Sequence, residues 1–446
     1  MPRFPNPLRG LDKPKEVFAW GLYDLANQSF TLLIITLLFP IYFKSVAVGD
    51  QQRGDSLWSI GVSAALFLVV LLSPFVGSFA DAKCKRKQIL MVTGTICSLL
   101  TICMTFISPG QWWLGLALFI PANICYQLGE NLLASFLPAL CTKRTIGRVS
   151  AFGWAMGYAG SLLLLICVLI GIELFGLKAI PEWKWFFILA GSWFIIWMIP
   201  AGLILHEPER PESAKDRSGF SLAIERMTTS IKEASHFKQL LRFLLAFFIY
   251  GLGVQTMIAF AAIIASDFGI KETGLFIFTL QIAVTAGITA VLVSKFQDRI
   301  GTKPTILFFL IVWTVSTLAL LIIEVTGLAS GSNKWVFYLI GNGIGIGLGG
   351  IGPSSRAMVG LFAPTERVGE FFGLWGMTYK LAGAIGVLSF GQVKAWIGDA
   401  QALGMLTAFF LIGGILLLRV STSKGIRAAK QADRAAKNKA NTSPRV

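Results

Sequence analysis

Polar side chains recur at helical spacing within two apolar segments of this 446-residue chain. In the stretch YDLANQSF, Asp24, Asn27 and Gln28 are followed by Thr31, which gives the spacing i, i+3, i+4 and i+7. Residues at that spacing lie on one face of a helix. Both donors and acceptors for a polar solute are present, because amides supply both and carboxylates supply acceptors. A second face of the same kind consists of Asn123, Gln127, Glu130 and Asn131.

Among the ionisable groups inside apolar segments, the candidates for a functional role are Asp24, Glu130 and Lys380. Because desolvation favours the neutral form of a carboxyl group, Asp24 and Glu130 are candidates for reversible proton binding. Lys380 could pair with Glu130 in one conformation and receive a solute carboxylate in another. The structural alternatives are a cap or ion pair near a helix end for Asp24 and an interhelical hydrogen bond for Glu130.

The composition is that of a polytopic membrane protein, with 55% hydrophobic residues, 14% charged residues and a mean hydropathy of +0.70. A soluble chain of this length needs far more polar surface. A helix crosses a bilayer with about 20 apolar residues. Twelve segments meet this requirement and predict an all-α protein with twelve transmembrane helices: 18–43, 57–80, 89–108, 111–140, 149–177, 184–205, 241–266, 272–294, 303–326, 335–362, 368–393 and 399–420.

Basic residues are concentrated in the segments on the side of the membrane that carries both chain termini. This bias predicts that both termini are cytoplasmic, in a cell or inner membrane. It also accounts for the net charge of +16, so we expect no nucleic-acid partner. The opposite side holds Lys44, Arg53, Lys178, Lys184, Lys271, Lys334 and Lys394.

The polar stretches divide the chain into four parts. We predict a six-helix bundle over 1–206, a cytoplasmic linker over 207–240, a second six-helix bundle over 241–420 and a basic cytoplasmic tail over 421–446. The tail is interpreted as attracted to anionic lipid or simply solvated. The linker is interpreted as an interfacial amphipathic helix, because apolar residues recur at helical spacing in it: Phe220, Ile224, Met227 and Ile231.

The two halves of the chain resemble each other. GSFADAKCKRKQIL (77–90) aligns with SKFQDRIGTKPTIL (294–307), and YDLANQS (23–29) aligns with YGLGVQT (250–256). These matches occur in the same order and predict two pseudo-symmetric six-helix bundles. Gln28 aligns with Gln255, whereas Asp24 aligns with Gly251. Because only the amide is repeated, the carboxylate of Asp24 is assigned to solute or proton binding rather than to the fold.

Both aligned turns resemble the loop motif G-x-x-x-D-R-x-G-R-K of the major facilitator superfamily. Within that superfamily the chain resembles the branch of fungal vacuolar amino-acid effluxers linked to autophagy and their bacterial relatives. The stretches that carry this resemblance are YDLANQSF, GRVSAFGWAMGYAG, FLLAFFIYGLGVQT and SSRAMVGLFAPTERVGEFFGLW. The resemblance implies a secondary carrier in which spans one, four, seven and ten line a central cavity.

The basic turns after spans two and eight are the predicted gate. Charge pairs there, together with the positive end of a neighbouring helix, can hold the inner end of a carrier shut. The alternative is that these charges only set the orientation in the membrane. The predicted gating residues are Asp81, Lys85, Arg86, Asp298 and Arg299.

No cofactor or metal site is expected. The six cysteines form no CxxC pair, and two histidines are too few for a zinc site. In GNGIGIGLGGIG (341–352) the spacing GxGxxG occurs, but no strand precedes it, so the interpretation is close helix packing or a flexible helix that lines the cavity, rather than nucleotide binding.

We therefore predict a monomeric secondary transporter, not an enzyme, that works by alternating access. Its predicted partners are protons, membrane lipids and a small polar or zwitterionic solute such as an amino acid. The alternatives are a lipid or amphiphile mover on the same fold and a membrane receptor that transports nothing. The residues predicted to bind solute or protons are Asp24, Asn27, Gln28, Asn123, Gln127, Glu130, Asn131, Gln255 and Lys380.

Overall fold

The computed structural model describes residues 8–142, 145–207, 237–270, 273–327, 335–364 and 367–442. Over these residues the chain is almost entirely helical. The long helices, numbered in chain order, are α1 Pro14–Val48, α2 Gln51–Lys83, α3 Arg86–Cys103, α4 Trp112–Leu140, α5 Ile146–Phe175, α6 Lys184–Ile204, α7 Lys238–Asp267, α8 Thr273–Ile300, α9 Thr302–Thr326, α10 Trp335–Phe362, α11 Val368–Trp396, α12 Asp399–Leu418 and α13 Thr422–Thr442.

Eleven helices in the described part of the chain are long and apolar enough to cross a membrane, so the protein is a multi-pass membrane protein. Helix α4 is not among the eleven, although it has 29 residues and matches the predicted span 111–140. Its predicted polar face explains this, because three amides and a carboxylate lower the apolar character of the helix.

Helix α1 is irregular after its first fifteen residues. The α-helical part Pro14–Gln28 carries the polar residues of YDLANQSF, and two π-helical stretches follow, Ser29–Leu37 and Phe43–Val48. The α-helical turn Leu38–Tyr42 separates them and contains Pro40. π-helical segments are uncommon and are often found at functional sites.

The chain forms two compact units. The first contains the described residues of the range Met1–Ala223 together with Ile258–Ala283 and Lys394–Trp396. It thus extends beyond the predicted 1–206 boundary, because the Trp58 indole donates to the carbonyl of Ala259 and the Trp183 ring packs on Phe276. The second unit contains the described residues of Ile224–Met257, Val284–Val393 and Ile397–Val446.

Within the second unit, the glycine-rich stretch of α10 is a surface of close helix contact. A Cβ atom built on Gly349 would lie 2.1 Å from the carbonyl oxygen of Ala286 in α8. A Cβ on Gly347 would lie 2.5 Å from the Trp313 indole of α9. The close packing predicted for GNGIGIGLGGIG is confirmed, since no larger residue fits at these positions without moving a neighbour.

Helix α13 accounts for most of the predicted basic tail. It packs against the end of α10, where Gly425 touches Phe362, and Ala429 is buried. Arg427 and Lys430 are exposed. The predicted linker helix with Phe220, Ile224, Met227 and Ile231 lies outside the described residues.

Candidate functional site

Helices α1 and α4 meet through polar side chains in the first unit. Asn27 is 1% exposed, and its Nδ2 donates a hydrogen bond to Oε1 of the half-buried Glu130. Thr31 Oγ1 lies 3.3 Å from the carbonyl oxygen of Asn27 and 2.7 Å from the Tyr126 hydroxyl. We call Asn27, Thr31, Tyr126 and Glu130 the α1–α4 polar cluster. It joins the two polar faces that the sequence predicts.

A buried amide lies two helical turns before Glu130 on α4. Asn123 is 1% exposed, and neither its Nδ2 nor its Oδ1 has a hydrogen-bond partner in the part of the chain that the structure describes. Oδ1 of Asn27 is likewise buried without a partner. An unsatisfied buried polar group costs about 1–3 kcal/mol, so proteins retain few of them without a functional reason.

The other polar residues of α1 face α5. Ser161 Oγ donates to Oε1 of Gln28 at 3.0 Å. The half-buried Asp24 lies beside Gly153, where a Cβ atom would come within 3.0 Å of Asp24 Oδ2. The structure thus brings Asp24, Asn27, Gln28 and Glu130 to one region of the first unit.

Asn131 does not join the α1–α4 polar cluster. It is exposed, and its Nδ2 donates to Ser73 Oγ of α2 at 2.9 Å. One residue of helix turns a side chain by about 100°, so Asn131 lies toward a different neighbour from Glu130. Gln127, one turn before Asn131, is half-buried.

Gln255 and Lys380 belong to the second unit, on α7 and α11, and both are half-buried. Lys380 follows Tyr379, whose ring stacks on Trp375 with centroids 6.2 Å apart and planes at 3°. The Arg356 guanidinium lies 5.7 Å from the centre of the Trp375 ring. The predicted pair of Lys380 with Glu130 stays a prediction.

The predicted gate is described only in part. The side chains of Asp81 and Asp298 lie outside the described residues, and Lys85 and Arg299 are exposed. The backbone N–H of Arg86, the first residue of α3, donates to Glu207 Oε1 at 2.5 Å.

Sequence analysis missed Glu207, which it placed in the linker. The carboxylate also accepts from the backbone N–H of Lys87 at 2.9 Å. Negative charge at a helix N-terminus is stabilising, so Glu207 caps α3. The sequence feature that could have indicated this role is the position of Glu207, two residues beyond the predicted span 184–205.

Sequence analysis also missed a group of four ion-paired residues, which we call the charge tetrad: Lys44, Asp55, Asp267 and Lys394. Both lysines were interpreted as loop cations on the side opposite the termini. The structure instead places Lys44 and Lys394 inside α1 and α11, with side chains 5% and 6% exposed. The sequence feature that could have indicated their burial is that each lysine lies one residue beyond a predicted span.

The chain is similar to known proteins in both sequence and fold. The profile of the family described as "Vacuole effluxer Atg22 like" matches residues 47–430. The uncharacterized MFS-type transporter YxiO of Bacillus subtilis is 26% identical over 415 residues, which cover 90% of this chain and 94% of that protein. Autophagy-related protein 22 of Kluyveromyces lactis is 24% identical over 410 residues, covering 84% and 80%.

Among solved structures, the crystal structure of a D-xylose-proton symporter matches with a TM-score of 0.71. The match has 14% sequence identity and covers 92% of this chain and 98% of the symporter. Fold and relatives define a membrane transporter of the major facilitator type, with the twelve-helix, two-bundle layout of that fold, and not an enzyme. More narrowly, the chain belongs to the family of Atg22-like vacuole effluxers.

Proposed function

We propose that this protein is a proton-coupled secondary transporter of small zwitterionic solutes, in particular amino acids, and that it works by alternating access as a monomer with cytoplasmic termini. The observation that carries the proposal is the hydrogen bond from Asn27 to Glu130, together with the buried amide of Asn123 two helical turns earlier on α4, which has no partner among the described residues. A half-buried carboxylate and unsatisfied amide atoms are energetically costly in a structural core.

The chemistry of these groups suits a zwitterion. Oδ1 of Asn27 and the carboxylate of Glu130 are acceptors for a solute ammonium group, whereas Nδ2 of Asn123 is a donor for a solute carboxylate. We assign Lys380 of the second unit to the same carboxylate. Asp24 and Gln28 are assigned to proton and solute binding near α5, and Gln127, Asn131 and Gln255 to the wall of the solute path.

Proton coupling rests on the acidic groups. Protonation of Glu130 removes the charge that accepts a hydrogen bond from Asn27, so it changes the interaction between α1 and α4. A protein of the same fold is named as a proton symporter, and the family name describes efflux from a vacuole. We assign Asp81, Lys85, Arg86, Asp298 and Arg299 to closing the cavity on the cytoplasmic side.

Reconstituted protein provides the direct test. Proteoliposomes that contain the purified protein are expected to accumulate at least one of twenty radiolabelled amino acids when a proton gradient is imposed. Accumulation should disappear when an uncoupler collapses the gradient. If none of the twenty accumulates with either direction of the gradient, while labelled lipid or another solute does, the amino-acid proposal is wrong.

Replacing Asn123 by leucine separates solute binding from stability. Asn123→Leu removes an unsatisfied buried amide and keeps the same number of side-chain heavy atoms branched at Cγ, so the unfolding temperature is expected to be unchanged or higher. Uptake should fall to the level of empty liposomes, because the donor and acceptor for the solute are lost. Thermal unfolding of the purified variant and uptake are measured on the same preparation. A clear loss of thermal stability with uptake intact contradicts this role.

A further inference from the structure

The charge tetrad is a closed ring of two lysines and two aspartates. The Lys44 ammonium lies 2.9 Å from Asp55 Oδ1 and 3.1 Å from Asp267 Oδ1. The Lys394 ammonium lies 3.4 Å from Asp55 Oδ2 and 2.9 Å from Asp267 Oδ2. Each lysine therefore contacts both aspartates, and the formal charge of the ring is zero.

Burial makes the ring depend on all of its members. The side chains of Lys44, Asp55 and Lys394 are 5–6% exposed, and that of Asp267 is 25% exposed. A buried ion pair is tolerated when complete, whereas removal of one partner leaves a bare charge out of water and is strongly destabilising. Asp267 is the most exposed member of the ring.

Local backbone features hold the first two members of the ring in place. Helix α1 ends at Gly49, which has a φ of 73° and whose N–H donates to the carbonyl of Lys44 at 3.1 Å. In the following helix α2, Gly54 packs against the Lys44 side chain. A Cβ atom built on Gly54 would lie 2.8 Å from Lys44 Cγ. The glycine at position 54 therefore lets the lysine pass between the two helices toward Asp55.

The other two members come from helices that are shared between the compact units. Helices α7 and α11 begin in the second unit, whereas Asp267 and Lys394 near their ends belong to the first. Residues of α1 and α2 thus bind the ends of two helices from the other half of the sequence.

We propose that the charge tetrad is a latch that closes the solute path at the helix ends remote from the chain termini and opens during each transport cycle. This role rests on the proposed function as a carrier, and it adds Lys44, Asp55, Asp267 and Lys394 as gating residues. The ion pairs keep the solute path closed while the four side chains are in contact. When the side chains separate, water replaces the ion pairs.

The test measures access to a residue beneath the ring. Ser59 of α2 is 0% exposed and lies one helical turn from Asp55 on the same face. A Ser59→Cys variant is treated with the charged thiol reagent MTSET, and mass spectrometry of the peptide that carries residue 59 gives the rate. The native cysteines stay in place. In the Ser59→Cys variant with an intact tetrad, which is the background for comparison, residue 59 is expected to react slowly.

Breaking the ring by Lys394→Met should raise the labelling rate at residue 59 by at least about tenfold, because a bare buried charge favours the open arrangement. The double change Lys394→Met and Asp267→Asn leaves the neutral pair Lys44–Asp55 and should return the rate to within about threefold of the background. The control is Lys178→Met, which removes an exposed pair with Glu173 at 3.9 Å and should have no effect.

An unchanged rate in Lys394→Met, or a double variant that reacts as fast as the single one, would overturn the latch. If Lys394→Met does not accumulate in the membrane, Asp267→Asn replaces it with the same expectation. Labelling requires no solute and no transport. The labelling experiment can therefore contradict the latch while amino-acid uptake is observed. It can also support the latch when no uptake is observed.

Discussion

Replacing Glu130 by glutamine is expected to abolish gradient-driven amino-acid uptake and to leave the protein inserted and folded. Glutamine has nearly the shape of glutamate and retains an oxygen that accepts the hydrogen bond from Asn27. The variant loses the negative charge and the proton-binding site. Uptake into proteoliposomes under an imposed proton gradient is the measurement, together with size-exclusion chromatography of the purified variant.

The matched control for this prediction is Glu173→Gln. The Glu173 side chain is 61% exposed and lies 3.9 Å from Lys178, and exposed ion pairs contribute about 0–1 kcal/mol. That variant should transport like the natural protein. If Glu130→Gln accumulates solute to the same level and with the same dependence on the gradient, Glu130 is not the proton-binding group.

Exchange without a gradient distinguishes the two roles proposed for Glu130. If the carboxylate binds only the proton, liposomes loaded with unlabelled solute should still exchange it for labelled solute through Glu130→Gln. If the carboxylate also binds the solute ammonium group, exchange should be lost together with uptake. Our assignment of both roles to Glu130 predicts the second result.

The largest expected effect on stability is that of Gly349→Ala in α10. An added Cβ atom would lie 2.1 Å from the carbonyl oxygen of Ala286 and 2.8 Å from its Cα. Those are backbone atoms, which cannot rotate away as the end of a side chain can, so α8 and α10 must separate. Overpacking of this kind costs about 1–3 kcal/mol or more. We expect a lower unfolding temperature and lower yield from the membrane.

Gly352→Ala is the control on the same helix. A Cβ atom at Gly352 meets no atom of the described residues within 4 Å. Glycine in a helix interior is less favourable than alanine by about 0.5–1 kcal/mol, so this variant should be as stable as the natural protein or slightly more stable. Equal unfolding temperatures for the Gly349 and Gly352 variants would show that contact with α8 does not limit stability.

The helices and the polar faces follow from local properties of the sequence. Each predicted span lies over a helix of the structure, because about 20 apolar residues must pair their own backbone groups in a bilayer. The polar faces of α1 and α4 follow from the 3.6-residue period, which depends only on neighbours in the chain. For the same reason the periodicity could not show that Asn131 turns to Ser73 rather than toward Glu130.

The tertiary structure alone decided which of these groups meet. Asn27 and Glu130 are 103 residues apart, and Lys44 and Asp267 are 223 residues apart. No local pattern relates such positions, and a lysine one residue beyond an apolar segment has the same sequence signature in a hydrated loop as in a buried ion pair. The difference is made by packing, because desolvation turns separate charges into a group that is stable only when complete.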